Sequence, residues 1–132
     1  MTTLDAGIPE GATCRPNFSA AGRRRRRSVA IGLTLFSVGV FAALVLLGAP
    51  AWARLLVALP AAAATAVGLQ VTRNTCLAHA ATGMTEHEDF STTKADAAYA
   101  EVSRRVARTI YRDGLLVGAG VGLLAFASGW VT

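Results

Sequence analysis

The chain reads as an all-α membrane protein with three transmembrane helices, a helical hairpin followed by a third helix that carries a cytoplasmic amphipathic extension. Three observations lead there. The stretches Ser28–Ala53, Leu55–Thr72 and Gly114–Thr132 contain no Asp, Glu, Lys or Arg. The thirteen basic residues are distributed around them as six before the first, one (Arg54) between the first and second, six before the third and none after it. Crossing about 30 Å of hydrocarbon at about 1.5 Å per residue takes roughly 20 apolar residues, and the 132-residue chain has three such stretches. A soluble fold of this length would be left with too little polar surface.

The element order follows the chain. Residues 1–27 read as a disordered basic cytoplasmic tail, rich in Gly and Pro up to Gly22 and then closed by Arg23, Arg24, Arg25, Arg26 and Arg27. This run serves as topology anchor and as contact for anionic lipid headgroups, because its apolar stems lie along the bilayer edge while the guanidiniums reach phosphate. The membrane domain spans 28–132. Its first span is expected at about 28–47. The alternative is a cleaved or twin-arginine signal, with Ala51-Trp52-Ala53 as a small-x-small site, but the apolar core exceeds the usual 7–15 residues or so.

A connection from Gly48 to Arg54 forces an antiparallel hairpin with a second span at about 55–72. Pro60 should kink that span, since proline has no N–H and its ring meets the carbonyl of Leu56. Trp52 and Trp130 fall on one predicted side, as interface anchors. The third span, about 114–131, carries Gly114, Gly118 and Gly122 on one face, a tandem GxxxG pattern for close helix packing within the chain or in a homo-oligomer.

The cytoplasmic segment 73–113 balances six bases against six acids. Thr93 and Asp96 have capping-box spacing, so a helix is expected from about Lys94. Val102, Val106 and Ile110 form its apolar stripe, Glu101 is placed to pair with Arg105, and Arg104, Arg108 and Arg112 line a solvated or lipid-facing side. The stripe lacks the interleaved aromatics of a single-strand binder, and no nucleic-acid partner is expected. Positive-inside counting places the N-terminus in the cytoplasm and the C-terminus outside. Twelve arginines against one lysine, with abundant alanine, point to a GC-rich bacterial genome, hence an inner (plasma) membrane location.

Candidate chemistry is confined to one region. Cys76 and His79 are three apart, on one face of any helix, with His87 and the acidic Glu86, Glu88 and Asp89 close behind. Thiolate, imidazole and carboxylate are metal ligands. A bis-histidine haem within one chain would need both histidines, and Arg73 supplies a nearby positive charge of the kind that activates a thiol. The two cysteines, Cys14 and Cys76, both fall on the cytoplasmic side, so no structural disulfide is expected.

No resident cofactor is expected otherwise, and no P-loop, dinucleotide fingerprint, zincin or nucleophile elbow is present. Away from Ser28 and Thr72 at their ends, the spans offer Thr34, Ser37, Thr65, Gln70 and Ser128 as polar side chains and no ionisable one, which argues against a monomeric pump or transporter and leaves open an oligomeric pore.

Arg73-Asn74-Thr75-Cys76, following the second span, resembles the turn in small bacterial inner-membrane domains, some fused to a rhodanese domain, that pair two short spans with a cysteine after the second. The resemblance covers residues 24–80 at most. Those domains carry Cys-Pro where this chain has Cys76-Leu77. It implies a membrane module of undefined biochemical role. Two functions from different classes follow. One is a structural or adaptor subunit that packs through the 114/118/122 face against a second copy or a larger membrane protein. The other is a redox, metal or haem protein using Cys76, His79 and His87.

Overall fold

The computed structural model describes residues 19–87 and 89–131. It is mostly helical, and three of its helices are long and apolar enough to cross a membrane: Ala20–Leu46, Ala51–Thr72 and Ala97–Ser128. The tail expectations for residues 1–18, with Cys14 and Arg15, lie outside the described residues, as do Glu88 and Thr132.

Helix α1 (Ala20–Leu46) begins eight residues before the expected span and takes in the whole arginine run. The basic run is therefore the first two turns of a helix and not part of a disordered tail. Two causes are local. Arginine has high helix propensity, and Ser19 caps the helix, its hydroxyl accepting the Gly22 N–H at 2.9 Å. Gly48, at φ +65°, turns the chain at the far end.

The return helix starts at Ala51, directly after Pro50, and has three parts: α2 (Ala51–Arg54), a 3-10 turn over Leu55–Val57, and α3 (Ala58–Thr72). The tightened turn lies just before Pro60, where the missing N–H leaves Leu56 without its helical donor. The small-x-small triplet of the rival signal reading is this helix's first turn, with Ala53 buried.

Asn74, at φ 52°, redirects the chain into α4 (Leu77–Thr82), and Gly83, at φ +69°, ends α4 in the left-handed region. The one departure from the all-α expectation among the described residues comes at the next step. Strands β1 (Met84–Glu86) and β2 (Thr92–Lys94) form an antiparallel ribbon with Thr85 opposite Thr93. β-Branched threonines at three of six strand positions suit this pairing. Helix α5 (Ala97–Ser128) follows. It starts three residues later than expected because Lys94 is in the ribbon. Asp96 is its N-cap, accepting the N–H groups of Ala98 and Tyr99 at 3.0 and 3.1 Å, so the Thr93–Asp96 capping box does not form.

The three long helices make a layer with α3 in the middle, flanked by α1 and α5. Helices α3 and α5 run antiparallel in a register set by small residues. A Cβ added at Gly118 would stand 2.5 Å from that of Ala62, at Gly122 2.8 Å from that of Ala58, and at Gly114 3.3 Å from that of Ala66. Gly129 meets Ala51 in the same way.

The glycine face is thus consumed inside the chain and is not free for a homo-oligomer. The buried stripe on α5 runs through Tyr99, Ser103, Ala107 and Ile110 into those glycines, and Val102 and Val106 flank it half-buried. Small residues, rather than the valines, let α5 approach its neighbours.

Burial is inverted relative to a water-soluble protein. Alanine dominates the core, and Ile110 is the one large side chain fully buried among the described residues. Leu35, Phe36, Val38, Leu115, Leu116 and Leu124 are exposed. Thr34, Ser37 and Thr65 each return a hydroxyl hydrogen bond to the carbonyl four residues earlier.

Candidate functional site

The end of the molecule that carries the arginine run is closed by α4 and the ribbon, and a polar knot forms there. Gln70, the one amide in the second span, is buried and accepts the Leu77 N–H at 3.3 Å. It thereby caps α4, where Cys76 is the N-cap residue but makes no side-chain cap. The Cys76 thiol is buried and accepts a hydrogen bond from Arg26 Nη2 at 3.0 Å. Arg73 does not provide the cation by the thiol. Its guanidinium turns to α5, donating to Thr109 at 2.9 Å and to Asp113 at 2.5 Å.

Glu86, at the end of β1, is the hub of the knot. Its Oε1 accepts the Ser19 hydroxyl at 2.9 Å and the Ser19 N–H at 3.3 Å, placing a carboxylate at the positive end of α1. Its Oε2 faces Arg26 Nη2 at 4.0 Å and His79 Nε2 at 3.9 Å. Gly22 admits this carboxylate, since a Cβ there would collide with Oε1. His79 Nδ1 is buried without a hydrogen-bond partner among the described residues. Arg23 donates to the Asn74 side chain.

The structure separates the predicted ligand set. His87 lies beyond β1 and bonds Thr93 Oγ1 at 2.8 Å on an exposed surface. Cys76 is the N-cap residue of α4 and His79 lies in its first turn, so the pair stands at the start of the helix rather than along it. Among the described residues, no group of three His, Cys, Asp or Glu side chains is placed to hold a metal ion. What the fold assembles instead is a thiol against a guanidinium, with an imidazole facing a carboxylate beside it.

Sequence reasoning passed over Ser19 and Gly22, and named Glu86 only as one of the acids behind Cys76 and His79, not as a partner of α1. Glu86 sits in a Glu-His-Glu-Asp run that looks like a solvated loop, and it meets Ser19 across 67 residues of chain. No local signal marks that contact.

A cleft of about 490 Å³ opens beside the knot, between α1, α4 and α5. Arg25, Arg26 and Val29 line it from α1, Val67 from α3, Tyr111 from α5 and Phe90 from the ribbon's turn.

At the opposite end, Arg54 is 5% exposed. It donates to the Ala49 carbonyl at 3.4 Å and to the Ser128 hydroxyl at 3.0 Å, placing its charge at the C-terminal ends of α1 and α5. Trp52 and Trp130 are exposed at this same end, and Trp130 stacks edge-on against Phe126 at 6.1 Å.

No family model, curated protein or solved structure matches the chain.

Proposed function

We propose that this is a multi-pass protein of the bacterial inner membrane, with its N-terminus in the cytoplasm and its C-terminus outside, acting as a structural or adaptor subunit. The observation that carries the reading is the inverted burial: alanines and glycines hold the helices together while leucine, valine and phenylalanine face outward. Lipid tails are as apolar as leucine, so a membrane helix gains nothing by hiding large side chains and gains contact by hiding small ones. The charge distribution supports the orientation, with the arginine run at one end and both tryptophans at the other. No enzymatic activity is assigned.

The glycine face is taken by α3, so partner contacts fall on outer surfaces. Helix α1 has the freest of these, through Leu35, Phe36 and Val38. A photo-crosslinking residue at Phe36 or Leu116, in the native membrane, should yield adducts with a second polypeptide. Adducts with lipid alone at both positions would overturn the adaptor role. An alkaline phosphatase reporter after Thr132 should be active, and a cytoplasmic result would reject the orientation.

The redox or metal reading keeps one support, the Arg26-to-thiol contact beside His79, whose Nδ1 has no partner among the described residues. It requires the purified protein to carry metal or haem that Cys76→Ala or His79→Ala removes. A colourless, metal-free preparation would end it.

A further inference from the structure

We infer that the cleft between α1, α4 and α5 binds one anionic phospholipid, with Arg25 on its phosphate and Val29 and Val67 along the start of an acyl chain. The inference rests on the membrane-inserted reading and adds a defined ligand to it.

The first argument is position. Val29 is the second residue of the uncharged stretch that begins at Ser28, and Arg25 is about one turn earlier on the same face of α1. The four-residue step is about 6 Å along the axis, so the cleft straddles the boundary between headgroups and hydrocarbon.

The second argument is charge. Arg23 is engaged by Asn74, and Arg26 by Cys76 and Glu86. Arg25 is exposed, lines the cleft and has no partner among the described residues. Glu86 also borders the cleft, but its carboxylate is bonded to Ser19 and faces Arg26 and His79, which leaves Arg25 to an external anion.

The third argument is shape and lining. The rest of the wall is mostly apolar or aromatic, apart from Gln70 and Cys76, which accept internal hydrogen bonds from Leu77 N–H and Arg26. Phe90 and Tyr111 are about half exposed at its border, and interfacial tyrosine suits a headgroup boundary. A volume of about 490 Å³ is of small-molecule size and too small for a partner helix.

The test uses the full chain in mild detergent with equal amounts of phosphatidylglycerol and phosphatidylcholine of matched acyl chains, read by native mass spectrometry. One phosphatidylglycerol per chain should be retained in preference to phosphatidylcholine. Arg25→Gln should weaken retention about fivefold, the contribution of one basic residue near an anionic headgroup. Arg25→Lys should keep the preference. Val67→Trp should fill the cleft and block the lipid. Arg105→Gln, which removes one charge that does not line the cleft, should leave the preference unchanged.

Equal retention of the two lipids would overturn the inference, as would equal losses in Arg25→Gln and Arg105→Gln. Loss of a dimer instead of a lipid adduct in Val67→Trp would assign the cleft to a second copy. The lipid count does not depend on orientation, so a cytoplasmic C-terminal reporter rejects the topology alone, and an unselective count rejects the site alone.

Discussion

Two glycines show how differently a missing Cβ can be used. At Gly22 the space is occupied by the carboxylate end of Glu86, a flexible side chain that can withdraw. At Gly118 it is occupied by the Ala62 Cβ and, at 2.8 Å, by the Ala58 carbonyl oxygen, both fixed to a helix backbone. Gly118→Ala should therefore destabilise by about 1–3 kcal/mol, the cost of overpacking, and Gly22→Ala by less. Ala62→Gly added to Gly118→Ala should recover only part of the loss, because the Ala58 carbonyl oxygen remains 2.8 Å from the new Cβ. Thermal unfolding in detergent measures all three, and a Gly118→Ala protein as stable as the parent would refute the close α3–α5 register. Arg54 makes a separate case, a buried cation bonded to a carbonyl and a hydroxyl near two helix ends. Arg54→Met should cost about 1–3 kcal/mol by leaving the Ala49 carbonyl and the Ser128 hydroxyl without this donor. No change in melting temperature would show that water replaces the guanidinium.

At the scale of elements, α5 is about 48 Å long from its 32 residues, well beyond a bilayer's hydrocarbon. Its first half must be held by something other than the α3 glycine register. Arg73 supplies that hold where α3 ends, through Thr109 and Asp113. Hydrogen bonds from Arg73, and then from Arg112, hold the Asp113 carboxyl below its ordinary value of 3.8. In the unfolded chain Asp113 regains that ordinary value and binds a proton more readily. The pair's contribution is thus fully present above about pH 5 and is lost as pH falls through the depressed folded value. Asp113→Asn should flatten this acid-side loss in a pH series of melting temperatures, and an unchanged acid limb would show that the pair does not contribute. The ribbon is the other determinant at this scale. Its three-residue strands, Met84–Glu86 and Thr92–Lys94, carry Glu86 back to the start of α1.

For the molecule as a whole, the layer of three helices has two chemically distinct ends. One gathers the arginine run, Cys76, His79 and Glu86, and the other gathers Arg54 and both tryptophans. Ion pairs on the exposed α5 surface, such as Glu101–Arg105 at 3.3 Å, form as the i,i+4 spacing predicts, but being half exposed they add little to stability. The closed end depends on contacts that cross the chain. Glu86→Gln weakens the charge at the α1 terminus and leaves Arg26 without its carboxylate. It should make Cys76 react faster with a water-soluble maleimide, by severalfold, while the α3–α5 register stays intact. Unaltered labelling would show that the thiol is shielded by α4 packing alone.

The sequence by itself determined the three apolar helices, their order and the charge asymmetry, because helix length and hydropathy are local properties read one residue at a time. It also determined that Gly114, Gly118 and Gly122 share a face, because a period of four fixes that without reference to a partner. Only the tertiary structure decided what the face touches, since the alanines of α3 and those of a second copy are equivalent in sequence terms. It likewise decided that Arg26, not Arg73, holds the thiol and that His87 is turned away from it. Those outcomes turn on Asn74 and Gly83 in the left-handed region and on Glu86 returning across 67 residues to Ser19. A side chain's partner at that distance is set by where the backbone turns, and the residues at either end carry no periodic signal of each other.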